Sequence, residues 1–227
     1  MFKRKLTQSD YILIAANLLP VIGAWFWGWD AKAIFIVYCL ETVIIGAFNV
    51  IKMLIVTVTR KSDMWYAEGK ATRVSGLFFI LFFIVHYGMF VAIQTGMFVS
   101  VSGLSKAFHT GFFDFFIHWP RYINQDSLTM MIGFLVCYGF KLYWDFIRTG
   151  EYKTISMMKL MFQPYIRIFI QQFAVILGSI FLTFGAGKVF ILIFAIVKIY
   201  FETFIDYEGL INKGIKEAEA QYAKDEK

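Results

Sequence analysis

The sequence has few charged residues, only two cysteines and only three prolines among its 227 residues. Charged residues make up 17% of the chain, whereas a soluble domain carries roughly a quarter. Hydrophobic residues make up 59%, and phenylalanine alone occupies 27 positions. The shortage of charge excludes an ordinary soluble domain and predicts an integral membrane protein.

The two cysteines and the absence of common catalytic motifs bear on whether the protein holds a metal or acts as an enzyme. Cys39 and Cys137 each lie inside an apolar run, which favours buried thiols over a disulfide or a cysteine-based metal site. The chain contains neither HExxH nor GxSxG, the short motifs of zinc peptidases and serine hydrolases. We therefore predict no metal and no cofactor, and the sequence leaves enzymatic activity uncertain.

Six apolar runs are each long enough to form a helix of about 20 residues, the length that crosses a bilayer core. They are Tyr11–Trp29, Ala33–Thr59, Val74–Val99, Leu128–Ile147, Tyr165–Phe184 and Val189–Ile205. Within hydrocarbon, backbone N–H and C=O groups find hydrogen-bond partners only in helices or closed β-barrels. The alternation of apolar and polar residues that is typical of a barrel strand is absent from these runs. The sequence predicts an all-α polytopic membrane protein, a bundle of about six transmembrane helices. We expect residues 1–207 to form one transmembrane domain and 208–227 a cytoplasmic polar tail.

The distribution of lysine and arginine predicts the orientation. Fourteen of these residues fall in the N-terminal segment, the second and fourth connections and the C-terminal tail, against four in the other connections. Because cytoplasmic loops carry the excess of positive charge, both termini are predicted to be cytoplasmic, in a multi-pass protein of the inner (plasma) membrane. The net charge of +6 then indicates contact with anionic membrane lipids, and nucleic acid is not expected as a partner.

Two connections have the character of short interfacial helices. Residues 108–122, FHTGFFDFFIHWPRY, are rich in aromatic residues and too short to span a bilayer. Anchoring at the outer interface is favoured over metal binding by their histidines. Residues 153–163, KTISMMKLMFQ, predict an amphipathic helix on the inner side that ends before Pro164.

Three charged or titratable residues lie at similar depth on three different predicted spans. Counting about 1.5 Å per residue from the start of each span, Glu41, His86 and Lys198 all fall near the midplane. Such groups are unfavourable in lipid, so mutual pairing inside the bundle is the arrangement of lowest energy. These three residues are predicted to form a midplane polar cluster, with Gly88 admitting a neighbouring helix beside His86.

A second polar set lies nearer the cytoplasmic side. It comprises Asn49, Lys52, Lys141, Asp145, Arg167, Gln171, Gln172 and Glu202. Lys198 and Glu202 are four residues apart and can meet on one helix face. Lys52, Asp145 and Arg167 are close enough to the interface for their heads to reach water. The deeper members Asn49, Lys141 and Gln172 are further candidates for binding.

Five stretches carry a family resemblance. They are YCLETVIIGAFNVIK, HYGMF, DFIRTGEY, PYIRIFIQQFAVILG and VKIYFETFID, in this order. Together they resemble an uncharacterised family of bacterial integral membrane proteins, a domain of unknown function of six-helix type. The resemblance implies histidines where this chain has Tyr138 and Gln172, and with them an intramembrane metal site from which this chain departs. It adds Tyr138 to the binding candidates and implies no activity.

Three classes of function remain open from the sequence. The first is binding or transport of a small molecule, an ion or a proton at the midplane cluster. The second is a structural subunit, in a homo-oligomer or beside a membrane partner. The third is an intramembrane enzyme that acts on a lipid-like substrate. Transport predicts a water-accessible cavity, an enzyme predicts a pocket open to lipid or to one face, and a structural subunit predicts a dry interior.

Overall fold

The structure is a computed structural model that describes residues 6–67, 70–101 and 118–225. These residues form seven α-helices and one two-stranded antiparallel sheet. The helices are α1 Gln8–Phe26, α2 Ala31–Arg60, α3 Gly76–Val101, α4 Gln125–Lys141, α5 Met157–Thr183, α6 Gly187–Phe204 and α7 Tyr207–Asp225. The strands are β1 Ser62–Ala67 and β2 Lys70–Ser75.

Four helical segments are long and apolar enough to cross a membrane. They are Gln8–Phe26, Ala31–Arg60, Gly76–Met97 and Gln125–Ile147. The prediction of a mainly helical protein is therefore confirmed, and four of its helices have the length and composition of membrane spans. The fifth and sixth predicted runs fall on α5 and α6. Helix α6 carries three charged residues, Lys188, Lys198 and Glu202, within its 18 residues.

Helix α2 is the central helix of the bundle. Its most apolar stretch is 72% buried, against 28% for the stretch that includes α4, and it contacts α3, α4, α5 and α6. Asp30 caps the first turn of α2 by accepting a hydrogen bond from the Ala33 amide at 3.1 Å. Polar side chains on α2 therefore meet other helices, whereas those on an outer helix need not.

The hairpin of β1 and β2 departs from the all-α prediction, in which this connection is only a polar loop. Trp65 packs one face of the hairpin against α3, with its ring 5.5 Å from that of Phe79 and 5.4 Å from that of Phe82. Asp63 accepts a hydrogen bond from the Met157 amide at 2.8 Å, at the start of α5. A two-stranded hairpin is marginal alone, so these contacts with two helices explain why it forms.

Helix α5 corrects the prediction of a separate interfacial helix over residues 153–163. The helix begins at Met157 and continues through Pro164. Proline has no N–H to donate to the carbonyl four residues earlier, that of Leu160. The side-chain amide of Asn49 donates to this carbonyl instead, at 3.0 Å. The helix therefore passes the proline without leaving a buried carbonyl unpaired.

Several polar segments gather at one end of the bundle, which we call the hairpin end. Helix α7 contacts β1, β2 and the start of α5 there. Ser9, at the start of α1, donates to Asp145 at 2.6 Å. Asp145 lies in a π-helical turn, Leu142–Ile147, that follows α4. The segment after residue 207, expected as a polar tail, thus forms a helix against the hairpin.

The predicted outer interfacial segment lies mostly outside the described residues, which resume at residue 118. Its described part contains a short 3-10 turn, Trp119–Tyr122. Asn124 then caps α4 by accepting a hydrogen bond from the Ser127 amide at 2.8 Å. The helix therefore starts three residues before the predicted span.

The glycines of the long helices differ in how closely neighbouring side chains pack against them. A Cβ on Gly46 would lie 2.6 Å from the Tyr87 ring, and one on Gly178 would overlap the Phe35 ring. No described residue lies within 4 Å of a Cβ on Gly88. The prediction that Gly88 admits a neighbouring helix beside His86 is therefore wrong. Aromatic rings, rather than backbones, take the space at Gly46 and Gly178.

Candidate functional site

A buried ion pair between Glu41 of α2 and Lys198 of α6 lies inside the bundle. The Lys198 Nζ is 2.5 Å from each carboxylate oxygen of Glu41, and the two residues are 0% and 2% exposed. Two buried charges are unfavourable unless they meet each other and further hydrogen-bond partners. The structure thus brings together two of the three residues that the sequence predicts to pair.

Three neutral side chains complete the surroundings of the pair. Asn17 Oδ1 accepts a hydrogen bond from Lys198 at 2.8 Å. Tyr138 donates to Glu41 Oε1 at 2.7 Å, and Gln171 donates to Oε2 at 3.3 Å. We call Glu41, Lys198, Asn17, Tyr138 and Gln171 the ion-pair network. Five helices supply it, namely α1, α2, α4, α5 and α6.

A second buried carboxylate, that of Glu202, adjoins the network. Its Oε1 is 3.9 Å from the Lys198 Nζ, and its Oε2 accepts from Asn17 Nδ2 at 3.4 Å. The predicted contact of Lys198 and Glu202 along one helix face is therefore present. Lys198 therefore lies between two carboxylates, which supply the opposite charge that a buried ammonium needs.

His86 lies apart from the network, so its predicted place in the midplane cluster is wrong. Its Nδ1 is 2.7 Å from the hydroxyl of Tyr165, and its ring packs against Phe82 and Phe90 at 5.3 Å each. Among the described residues it has no polar contact with Glu41 or Lys198. Val85, the preceding residue, is 74% exposed. Helix α3 therefore turns this region toward the outside of the bundle.

The other predicted binding candidates divide between two places. Tyr138, Asn49 and Lys141 border the same internal cavity. Asn49 is buried and bonded to the Leu160 carbonyl, and Lys141 is 3.5 Å from Asp10. Gln172 is elsewhere, where its amide is 3.9 Å from the Met97 sulfur. A binding role for any of them stays a prediction.

The cavity that these residues border has a volume of about 450 Å³ and lies at the hairpin end. Its walls come from the same five helices that supply the network. Tyr138 and Glu202 belong both to the wall and to the surroundings of the ion pair. Exposed residues Thr7 and Thr149 also line the cavity, so it is open to solvent at the hairpin end.

Charged side chains of both signs line the cavity. The carboxylates are Asp10, Asp145, Glu151, Glu202 and Asp206, and the cations are Lys52, Lys141 and Arg167. Lys52, Asp145 and Arg167, which the sequence predicts to reach water at the membrane interface, all lie in the cavity wall. Water or a polar ligand can solvate these groups inside the bundle, so they need not reach past its edge.

Sequence reasoning missed Asn17 in the network and placed Gln171 only in the polar set near the cytoplasmic side. Asn17 is 0% exposed and Gln171 is 2% exposed. A signal for Asn17 was available, because it is an amide inside the apolar run LIAANLLP. A buried amide in a predicted span needs hydrogen-bond partners for the same reason as a buried carboxylate.

The arrangement of acidic and imidazole groups bears on metal binding. Within the described parts of the chain, no three His, Cys, Asp or Glu side chains are grouped as a metal site. Glu41 is engaged by an ammonium, a hydroxyl and an amide. The chemistry that this geometry offers is binding of polar or charged groups in the cavity, with Tyr138 linking the cavity to Glu41.

Comparison with known protein families identifies one family to which the chain is matched. The model of a family of unknown function, DUF6498, matches residues 1–225. Comparison with curated proteins and with solved structures found no significant match. The resemblance seen in the sequence motifs is thereby confirmed as membership of a family without an assigned activity. From this match over nearly its whole length, the chain belongs to the family of unknown function DUF6498.

Proposed function

We propose that this protein binds a small polar molecule in the cavity at its hairpin end, as a binding or transport protein of the membrane. The observation that carries the proposal is the cavity itself, about 450 Å³ in volume and lined by charged side chains from five helices. Ligand pockets are commonly about 300–1,000 Å³. A charged cavity of this size inside an apolar bundle is otherwise unfavourable, so binding accounts for it better than packing does.

The ion-pair network supports the proposal as the closed inner wall of the cavity. Glu41 is fully buried behind Tyr138, whose hydroxyl donates to it. Glu202 separates the cavity from Lys198 on the α6 side. For transport, the helices that share the network must move apart, and the Glu41–Lys198 contact is the strongest one that this movement breaks.

The topology that we propose follows the distribution of charge. Helices α5 and α6 also cross the membrane, which gives six spans, with residues 1–207 as one transmembrane domain. The hairpin end, both termini and α7 face the cytoplasm, because lysine and arginine are concentrated in the segments found there. The membrane is the bacterial plasma membrane, and the cavity is then entered from the cytoplasmic side.

Ligand-induced stabilisation of the purified full chain tests the proposal. The unfolding midpoint is measured in phosphatidylcholine nanodiscs against small carboxylates, phosphate esters, amines and sugars. We expect at least one class to raise the midpoint saturably, because a ligand that binds only the folded state stabilises it. Ile45→Phe, which projects a larger side chain into the cavity, should abolish the effect.

The control for this experiment is Ile44→Phe. Ile44 and Ile45 are 8% and 6% exposed on the same helix, but only Ile45 lines the cavity. Ile44→Phe should change the basal midpoint through overpacking and leave the ligand-induced increment intact. Equal loss of the increment in both variants, or no increment with any compound, would refute binding in the cavity.

A structural subunit is the second candidate, and the dryness of the network favours it. Glu41, Asn17 and Thr203 are each 0% exposed, and the pair is satisfied without any ligand. Under this alternative the network fixes helix positions, and the cavity holds only water. The compound panel would then leave the unfolding midpoint unchanged.

A further inference from the structure

Arg167 differs from the other charged residues that line the cavity. Its guanidinium belongs to the cavity wall, yet it forms no hydrogen bond or ion pair with any residue in the described part of the chain. Guanidinium is always charged and offers five N–H donors in a planar fork. A charged group of this kind inside a bundle is unfavourable without an acceptor. The cavity thus contains donors that the protein itself does not use.

The carboxylates whose charge acts on Arg167 are already engaged elsewhere. They are those of Glu202 and Glu41. Glu41 is 2.5 Å from Lys198, and Glu202 is 3.9 Å from the same ammonium. Their negative charge stabilises Arg167 at a distance, but Lys198 shares it. No described residue contacts the guanidinium as an acceptor, so its donors are open to water or to a ligand in the cavity.

Other carboxylates of the cavity are likewise held by donors of the protein. Asp10 is 3.5 Å from Lys141. Asp145 accepts from the Ser9 hydroxyl at 2.6 Å, and Asp206 accepts from the Gly209 amide at 2.8 Å. Asp145 and Asp206 have no cationic partner among the residues that the structure describes. They leave negative charge in the cavity wall.

Tyr138 and Asn49 of the cavity wall can accept hydrogen bonds, but their donor hydrogens are already used within the protein. The Tyr138 hydroxyl uses its proton on Glu41, and the Asn49 amide uses its nitrogen on the Leu160 carbonyl and the Met53 sulfur. An anion in this part of the cavity therefore depends on Arg167. A ligand hydroxyl or N–H beside the anion would find acceptors on Tyr138 and Asn49.

We propose that Arg167 binds the oxyanion group, a carboxylate or a phosphate diester, of a singly charged small molecule that enters from the hairpin end. The planar fork matches both groups in bidentate geometry. Asp145 and Asp206 add negative charge to the same cavity wall and repel multiply charged anions, so a net charge of one is favoured. This inference rests on the proposed function, because it names the ligand class of the same cavity.

The test measures affinity for acetate, benzoate and dimethyl phosphate, which are monoanions, with succinate as the dianion. The full chain is held in phosphatidylcholine nanodiscs at constant ionic strength, and its unfolding midpoint is titrated with each anion. We expect a saturable rise with the monoanions and at least ten-fold weaker binding of succinate. Arg167→Gln should abolish the rise. Arg167→Lys, which keeps the charge and loses the fork, should weaken binding about ten-fold.

The matched control is Arg148→Gln. Arg148 lies over the Trp144 ring, 4.5 Å from its centroid, and it is not part of the cavity wall. The substitution removes the same charge from the same end of the protein and should leave monoanion affinity unchanged. Equal losses in Arg167→Gln and Arg148→Gln would mean that the rise reports net charge alone, which overturns the proposal.

Measurements in nanodiscs of different lipid composition distinguish a lipid headgroup from a soluble molecule as the source of the oxyanion. In nanodiscs with phosphatidylglycerol, whose phosphodiester carries one charge, a headgroup phosphate bound at Arg167 would abolish the acetate response of the unaltered protein. An unchanged response would indicate a soluble ligand. Either result sustains an oxyanion at Arg167, provided that Arg167→Gln removes the acetate response in phosphatidylcholine.

Failure of this inference can be separated from failure of the proposed function. If amines or sugars stabilise the protein and Ile45→Phe abolishes their effect, the cavity is a binding site. An absent acetate response, or one that Arg167→Gln leaves intact, would then overturn only the assignment of Arg167. If no compound of any class stabilises the protein, both proposals fall.

Discussion

The ion-pair network and the His86–Tyr165 pair are two polar arrangements inside the same bundle, with opposite surroundings. Glu41 is fully buried, is contacted from α4, α5 and α6, and receives four hydrogen bonds from three side chains. His86 is half-buried, and its described polar contact is one hydroxyl. Depth along a helix is therefore a poor guide to the role of a polar residue. The number of helices around it is more informative, because only a surrounded charge depends on its neighbours.

The largest effect is expected from Lys198→Met. The substitution leaves the Glu41 carboxylate buried without its cation, which should lower the free energy of unfolding by about 3–5 kcal/mol. The double variant Glu41→Gln/Lys198→Met also removes the Glu41 charge, leaves Glu202 as the one carboxylate of the two beside position 198, and should recover part of the loss. Reversible unfolding in mixed micelles measures both. A double variant as unstable as the sum of the two single variants would show that the two residues are not coupled.

A smaller effect is expected from adding a methyl group to a glycine in the packed part of the bundle. Gly178→Ala would force a Cβ into the Phe35 ring, and such overpacking costs about 1–3 kcal/mol. Gly88→Ala is the matched control, because the space beside it is open. It should be neutral or slightly stabilising, since alanine favours helix. Unfolding midpoints of the two variants compare the regions directly, and an equal loss in both would contradict the described packing.

The smallest effect is expected from His86→Phe. The variant keeps the aromatic packing and removes the hydrogen bond to Tyr165, and such bonds within membranes average about 0.6 kcal/mol. Tyr165→Phe should cost a similar amount, and the double variant should cost no more than one of them. Unfolding free energies of the three variants form the test. A loss from His86→Phe as large as that from Lys198→Met would place His86 in the structural centre after all.

Part of this architecture follows from sequence and part does not. The excess of apolar residues and the length of the runs predict membrane-spanning helices, and the structure has four segments of that kind. Glu41 and Lys198 were predicted to meet because buried charges of opposite sign need each other. Rotation of a helix about its axis is not fixed by this argument when the helix is apolar on every side. Helix α3 is such a helix, and His86 was therefore misplaced.

Two other features depend on contacts between distant segments. The hairpin forms because Trp65 finds the aromatic residues of α3 and Asp63 finds the start of α5. Pro164 remains inside α5 because Asn49 of α2 satisfies the carbonyl that the proline leaves unpaired. Local propensity favours a loop at the first site and a helix end at the second. Tertiary contacts override both preferences.

The most direct test of the account is the accessibility of Ile45 to water. The two natural cysteines are replaced by alanine, and a single cysteine is placed at position 45 or at position 44. Thiols react with a water-soluble maleimide far faster in water than in a dry interior, because the thiolate is the reacting form. Labelling is measured in sealed proteoliposomes and after permeabilisation. The account predicts rapid labelling of Ile45→Cys and almost none of Ile44→Cys, whereas equally slow labelling of both would contradict a solvent-filled binding cavity.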